Sequence, residues 1–149
     1  MFELVGLGGT FDHFHEGHAL LIKTALKVSE KVMIGLSTEK LLKDKEYKEN
    51  LESYDVRKNH LVQFLKRHSA LEQAEVCELN DPFGPPAREP DYEGLVVSQE
   101  TYEGGLKINE LRQEKGLEPL VLIVIPILTD QADNKISSTD IRKSTTNKE

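Results

Sequence analysis

Short β-branched apolar runs alternate with amphipathic stretches along the chain, and this alternation restricts the possible folds more than any other feature. Residues 2–7, 31–37, 75–79, 94–98 and 120–127 read as five strands. Between them, Leu21, Ile22, Ala25, Leu26 and Val28 recur at helical spacing, as do Leu61, Phe64 and Leu65 within a helix over 55–68. A further helix over 106–115 is closed by Gly116 and Pro119. Such alternation predicts parallel strands joined by right-handed crossovers: an α/β, single-domain, Rossmann-like five-stranded sheet with helices on both faces. The run from Leu120 is continuously apolar and reads as a fully buried strand. Ligands in such sheets sit at the carboxyl ends of the strands, where the strand order switches.

The remaining segments fit one domain over 1–143 with a polar tail over 144–149. Residues 39–52 are rich in Lys and Glu and read as a loop with a helical piece. Residues 81–90 carry four of the six prolines and mark a loop. A last short helix is expected near Ser137 or Ser138, both good N-caps.

Composition excludes several function classes. A net charge of −7 disfavours a nucleic-acid binder that relies on a basic surface. Cys77 is the only cysteine, so neither an internal disulfide nor cysteine-pair redox chemistry is available, and a cytoplasmic home is the simplest expectation. The longest apolar run, 120–128, falls far short of the roughly 20 residues of a membrane span. Neither a nucleic-acid nor a membrane partner is expected.

The most unusual local sequence follows strand 1. Gly8 and Gly9 read as a turn that brings backbone amides close to an anion at a helix N-terminus. Three of the five histidines then fall within six residues, at His13, His15 and His18. His15 and His18, three apart, project from one face if both lie on the first helical turn. Imidazoles there can donate to a phosphate oxygen or carry charge beside one. A zinc site on this spacing lacks further ligands nearby apart from His13, and no dedicated metal cage is expected. A second anion site is read at Ser137, Ser138 and Thr139, whose hydroxyls and amides precede Arg142 by about one helical turn.

Gly9-Thr10-Phe11-Asp12 followed by His15-Glu16-Gly17-His18 resembles the signature of the HxGH nucleotidyltransferases, and Ile136-Ser137-Ser138-Thr139-Asp140-Ile141-Arg142 resembles the motif that closes their fold. The resemblance implies a sheet of the HUP type. Three middle segments, 41–45, 81–85 and 96–105 running on to Asn109, resemble the archaeal and eukaryotic type of phosphopantetheine adenylyltransferase. Gln99 stands where that family more often has Glu, and Pro86 where a small residue is usual. The resemblance implies transfer of AMP from ATP to 4′-phosphopantetheine, giving dephospho-coenzyme A and pyrophosphate, with Mg²⁺ arriving on ATP. Rival readings are a transferase with another acceptor, such as flavin mononucleotide, and a non-catalytic nucleotide sensor.

Under this reading His18 meets the α-phosphate, His15 the neighbouring phosphates and Thr10 the attacking phosphate. Gly8, Gly9 and Phe11 complete the nucleotide loop, and Asp12 borders the acceptor. Lys43, on the loop after strand 2, closes over the triphosphate, with Lys45 as its rival for that role. Arg142 and the Ser137–Thr139 amides hold the leaving pyrophosphate. A Gly104-Gly105 turn lets backbone approach the nucleotide, and Lys107 is a further candidate cation for the acceptor phosphate.

Overall fold

The computed structural model describes residues 1–42, 51–99 and 101–126. Lys43, Lys45, Ser137, Ser138, Thr139, Arg142, the expected last helix and the tail lie outside the described residues.

Five strands form one parallel sheet in the order β3-β2-β1-β4-β5: β1 (Phe2–Gly9), β2 (Ser29–Ser37), β3 (Ala74–Leu79), β4 (Gly94–Ser98) and β5 (Val121–Ile125). The chain first builds outward from β1 through β2 to β3, then returns to the other side of β1 with β4. The order therefore switches between β1 and β4, and the loop after β1 opens at that crevice.

Alternation along the strands sends two sets of side chains to opposite faces. Val5, Leu7, Val32, Ile34, Leu36 and Val96 form one core with α1 (Glu16–Val28) and α3 (Tyr54–Arg67), through Ile22, Ala25, Leu61, Phe64 and Leu65. Leu95, Val97, Met33, Leu4 and Leu122 pack on the opposite face with α4 (Tyr102–Glu114), through Ile108 and Leu111. Helices thus cover both faces, as expected. Ile22 and Leu61 are wholly buried, and each contributes roughly 1.5–3 kcal/mol of hydrophobic stabilisation. A four-residue helix, α2 (Glu39–Leu42), follows β2.

Helix ends follow local chemistry. Ser53 caps α3 by accepting from the Val56 N–H at 3.2 Å. Gly116, at φ 77°, ends α4 in a Schellman motif, with Leu117 N–H bonded to Arg112 O and Gly116 N–H to Gln113 O.

Three expectations need correction. Gly8 and Gly9 do not form a turn; they extend β1 and pair with Gly35 and Leu36 of β2. The α4 helix begins at Tyr102, so Gly104 and Gly105 lie in its first turn. A Cβ on Gly105 would stand 3.1 Å from Leu122 Cδ2, so its absence lets α4 lie close on β5. Finally, β5 is the sheet edge and is only partly covered among the described residues: Val121 is 52% and Val124 45% exposed. An edge strand has a neighbour on one side only, so a continuous apolar run does not guarantee burial on both faces. Among the described residues no helix is long and apolar enough to cross a membrane.

Candidate active site

The β1–α1 loop reverses direction through two non-glycine residues in the left-handed region, Phe11 at φ 52° and His13 at φ 49°. Such conformations cost about 1–3 kcal/mol each and persist only where their surroundings hold them. Phe11 is anchored by burial in the core. Asp12 Oδ1 accepts from the Glu52 N–H at 2.8 Å, and Glu52 Oε1 accepts from the His13 N–H at 3.0 Å. The loop after strand 1 is therefore clasped to the chain just ahead of α3.

His15 is the N-cap of α1, one position outside the first turn, and His18 is its third helical residue. Their side chains still converge. Gly17 N–H donates to His15 Nδ1 at 3.0 Å, and His15 N–H donates to His18 Nδ1 at 3.1 Å. The rings stack with centroids 3.8 Å apart. A nitrogen that accepts a backbone N–H carries no proton there, which puts the proton of each ring on Nε2. Both Nε2–H groups are thus set as donors. Burial, and secondarily the neighbouring His15, lowers the His18 pKa to about 3, which keeps that ring neutral at physiological pH. Phe11 and Phe14 flank it, with ring centroids 5.2 and 5.4 Å away.

The geometry also accounts for Gly17. A Cβ there would lie 2.9 Å from His15 Cε1 and 3.2 Å from Nδ1. The intervening glycine makes room for the imidazole that caps the helix.

Thr10 is held from behind by Arg57, a residue the sequence reading did not single out. Arg57 is completely buried, and its Nη1 donates to Thr10 O at 3.1 Å and Ser37 O at 2.7 Å while Nε donates to Glu52 O at 3.0 Å. One guanidinium joins the ends of β1 and β2 to the start of α3. Ser37 Oγ adds a bond to Gly9 O at 3.2 Å.

A cavity of about 440 Å³ opens beside Thr10 on the α4 face of the sheet. Gly8 and Gly35, paired across β1 and β2, form its floor, and Leu79, Phe83 and Ile108 stand in its walls. Gly104 and Gly105 also line it, from the first turn of α4. The wall at residues 81–85 is a pinned turn. Asp81 Oδ1 accepts from Phe83 and Gly84 N–H at 2.9 and 2.8 Å, and the Gly84 amide leads in lowering the carboxyl's pKa. Gly84 sits at φ 68°, and a Cβ there would meet Leu79 Cδ1 at 2.7 Å, so both conformation and space demand glycine. A second buried arginine, Arg112, donates to the carbonyls of Pro86, Glu89 and Glu118 at 2.6–2.8 Å and fastens the proline-rich loop to α4.

The structure therefore gathers Gly8, Gly9, Thr10, Phe11, His15 and His18 at the end of β1. Asp12 turns its carboxylate to Glu52 and His13, and Lys107 is exposed on α4; neither lines the cavity. Arg57 and Arg112 had a legible signal: each stands in the apolar stripe of its helix, Arg57 four residues before Leu61 and Arg112 four after Ile108.

Comparison with known proteins agrees with this architecture. A family model described as cytidylyltransferase-like matches residues 7–144. The phosphopantetheine adenylyltransferase of Pyrococcus abyssi is 40% identical over 141 residues, covering 95% of this chain and 89% of that protein. That of Saccharomyces cerevisiae is 39% identical over 147 residues, and this chain spans 48% of its length, about half. A crystal structure of an Archaeoglobus fulgidus protein of unknown function superposes with a TM-score of 0.74 at 31% identity, covering 95% of this chain and 96% of that one.

Proposed function

The chain belongs to the phosphopantetheine adenylyltransferase family, within the cytidylyltransferase-like group, and on that premise we propose that it transfers AMP from ATP to 4′-phosphopantetheine. The products are dephospho-coenzyme A and pyrophosphate. The observation that carries the chemistry is the pair of stacked imidazoles whose Nδ1 atoms accept backbone N–H groups, which puts the proton of each ring on Nε2.

The acceptor's phosphate is already ionised at neutral pH, so it attacks the α-phosphorus of ATP without a strong base. The new P–O bond forms as the bond to pyrophosphate breaks, with no covalent enzyme intermediate. Negative charge grows on the α-phosphoryl oxygens and the leaving group, and fixed donors there lower the barrier. His18 Nε2–H serves the α-phosphate and His15 the adjoining phosphates. Thr10, fixed by Arg57, orients the attacking phosphate, and Lys107 is a further candidate for it. Gly8, Gly9 and Phe11 shape the nucleotide loop, and Asp12 holds it to Glu52. Lys43, Ser137, Ser138, Thr139 and Arg142 are assigned to the triphosphate and the leaving pyrophosphate. Mg²⁺ enters as the counter-ion of ATP, and the reaction is placed in the cytoplasm.

The cavity beside Thr10 supports the acceptor. Its walls are mainly apolar and its floor is bare backbone, which suits a slender uncharged arm attached to a phosphate. Incubation with ATP, Mg²⁺ and one acceptor at a time, followed by pyrophosphate release, tests the reading. Rapid release with 4′-phosphopantetheine is expected. Release with flavin mononucleotide alone would assign another acceptor, and release with none would leave a nucleotide-binding protein without this activity.

A further inference from the structure

Three potential metal ligands meet at the β1–α1 loop, and His60 stands beside one of them. Donor atoms of Asp12, His13 and Glu52 all lie within 4.8 Å of one another. His13 Nε2 is 3.4 Å from Asp12 Oδ2, and His13 Nδ1 is 3.4 Å from Glu52 Oε2. His60, on the second turn of α3, brings its Nδ1 to 3.6 Å from Glu52 Oε1. We propose that Asp12, His13, Glu52 and His60 bind a first-row divalent transition-metal ion of the zinc class.

An ordinary ion-pair network is the alternative, and it accounts for His13, whose ring lies between two carboxylates. It pairs His60 with Glu52 only loosely, at 3.6 Å. His60 Nδ1 is a buried atom that makes no hydrogen bond, although it stands beside a carboxylate oxygen. A ligand to a metal fills that role, because a neutral imidazole nitrogen gives its lone pair to the ion.

The donor set selects the class of ion. Two imidazoles with two carboxylates suit zinc and its neighbours, whereas Mg²⁺ and Ca²⁺ favour all-oxygen shells. Two carboxylates and two neutral imidazoles balance a divalent charge. His13 is 66% exposed in its side chain, so its ring can turn to present either nitrogen. A surface cleft lined by His13, Phe14, His60, Gln63 and Arg67 gives solvent and ion a route in. An ion here would fasten the segment between Thr10 and His15 to Glu52 and to α3. The proposal stands apart from the choice of acceptor.

Calorimetric titration of metal-free protein with Zn²⁺ tests it, with Co²⁺ as a spectroscopic probe. We expect one saturable site, a visible absorption band typical of four-coordinate cobalt, and a melting temperature that rises with Zn²⁺. His13→Ala and His60→Ala change side chains outside the hydrophobic core, and melting in chelator confirms that each variant folds. Both should lower affinity by roughly tenfold or more. The His15→Ala/His18→Ala double variant should bind as the parent does. Absence of saturable binding, binding that survives both His13→Ala and His60→Ala, or binding abolished in the double variant would overturn the proposal.

Discussion

Arg57 Nη1 donates to the carbonyl of Thr10 at 3.1 Å from a side chain with no solvent exposure. The same guanidinium reaches Ser37 and Glu52, so a buried charge is solvated by three carbonyls at the ends of β1 and β2 and the start of α3. A buried cation held this way is costly to remove, because each abandoned carbonyl keeps its desolvation penalty. Arg57→Met should destabilise the protein by about 3 kcal/mol in urea unfolding and lower turnover in the fraction that remains folded. A loss under about 1 kcal/mol would mean that water replaces the guanidinium freely.

On the proposed mechanism, His18→Ala removes one transition-state donor while leaving the rest of the phosphate site. Turnover should fall by roughly 10²–10³, with ATP affinity kept within about tenfold. A variant that retains most of its turnover would remove His18 from the mechanism.

The depressed pKa of His18 sets a pH dependence with a definite sign. In the unfolded chain this imidazole titrates near its ordinary 6.5, whereas in the fold it stays neutral down to about 3. Between those values the unfolded state binds the extra proton, so stability falls as pH drops from about 6.5 toward 3. His18→Gln lacks that proton uptake, and unfolding free energies at pH 7 and pH 5 should show the parent losing more than the variant. Equal losses would mean that His18 titrates alike in both states.

Gly17→Ala separates fold from function. Alanine favours a helix over glycine by about 1 kcal/mol, so stability should change little. The added methyl nevertheless presses on His15, which must leave its cap and so shift its Nε2 from the position proposed to serve the phosphates. Turnover should drop about tenfold or more through misplacement of that donor. Steady-state rates beside a thermal melt would reveal it, and an unchanged rate would show that His15 moves without consequence.

How much of this was legible in the sequence depended on the range of the interaction. The bounds of β4, the stop of α4 at Gly116 and the apolar stripe of α3 are local patterns, and each was readable. Helices on both faces follow from alternation. The HxGH loop was legible as chemistry but not as geometry: His15 caps the helix instead of lying within it, and left-handed backbone falls at Phe11 and His13 instead of at Gly8 and Gly9. Propensity cannot foresee that, because Glu52 supplies the restraint from 40 residues away. Arg57 and Arg112 read as ordinary surface charges unless their places in apolar stripes are counted. Among the described residues, the exposure of β5 goes with its place at the sheet edge, and strand order is a global property.

Acceptor choice is the last expectation, and it rests on the floor of the cavity. On the proposed mechanism all phosphate acceptors present the same attacking group to Thr10, so discrimination must come from the remainder of the molecule. If 4′-phosphopantetheine lays its arm over Gly8 and Gly35, it should exceed glycerol 3-phosphate and flavin mononucleotide in kcat/KM by at least about 10³. Gly35→Val tests the contact directly. Even a Cβ at this position stands 3.3 Å from Leu79 Cδ1, so the larger side chain must project into the cavity or push Leu79 inward. It should raise KM for 4′-phosphopantetheine severalfold, while the affinity for ATP and the slow rate with glycerol 3-phosphate stay as they were. The small acceptor acts as the control, since it shares the phosphate and lacks the arm. Equal losses with both acceptors would point to damage at the sheet edge. An unchanged KM for 4′-phosphopantetheine would place its arm elsewhere, while the assignment of His15, His18 and Thr10 to nucleotidyl transfer would still stand.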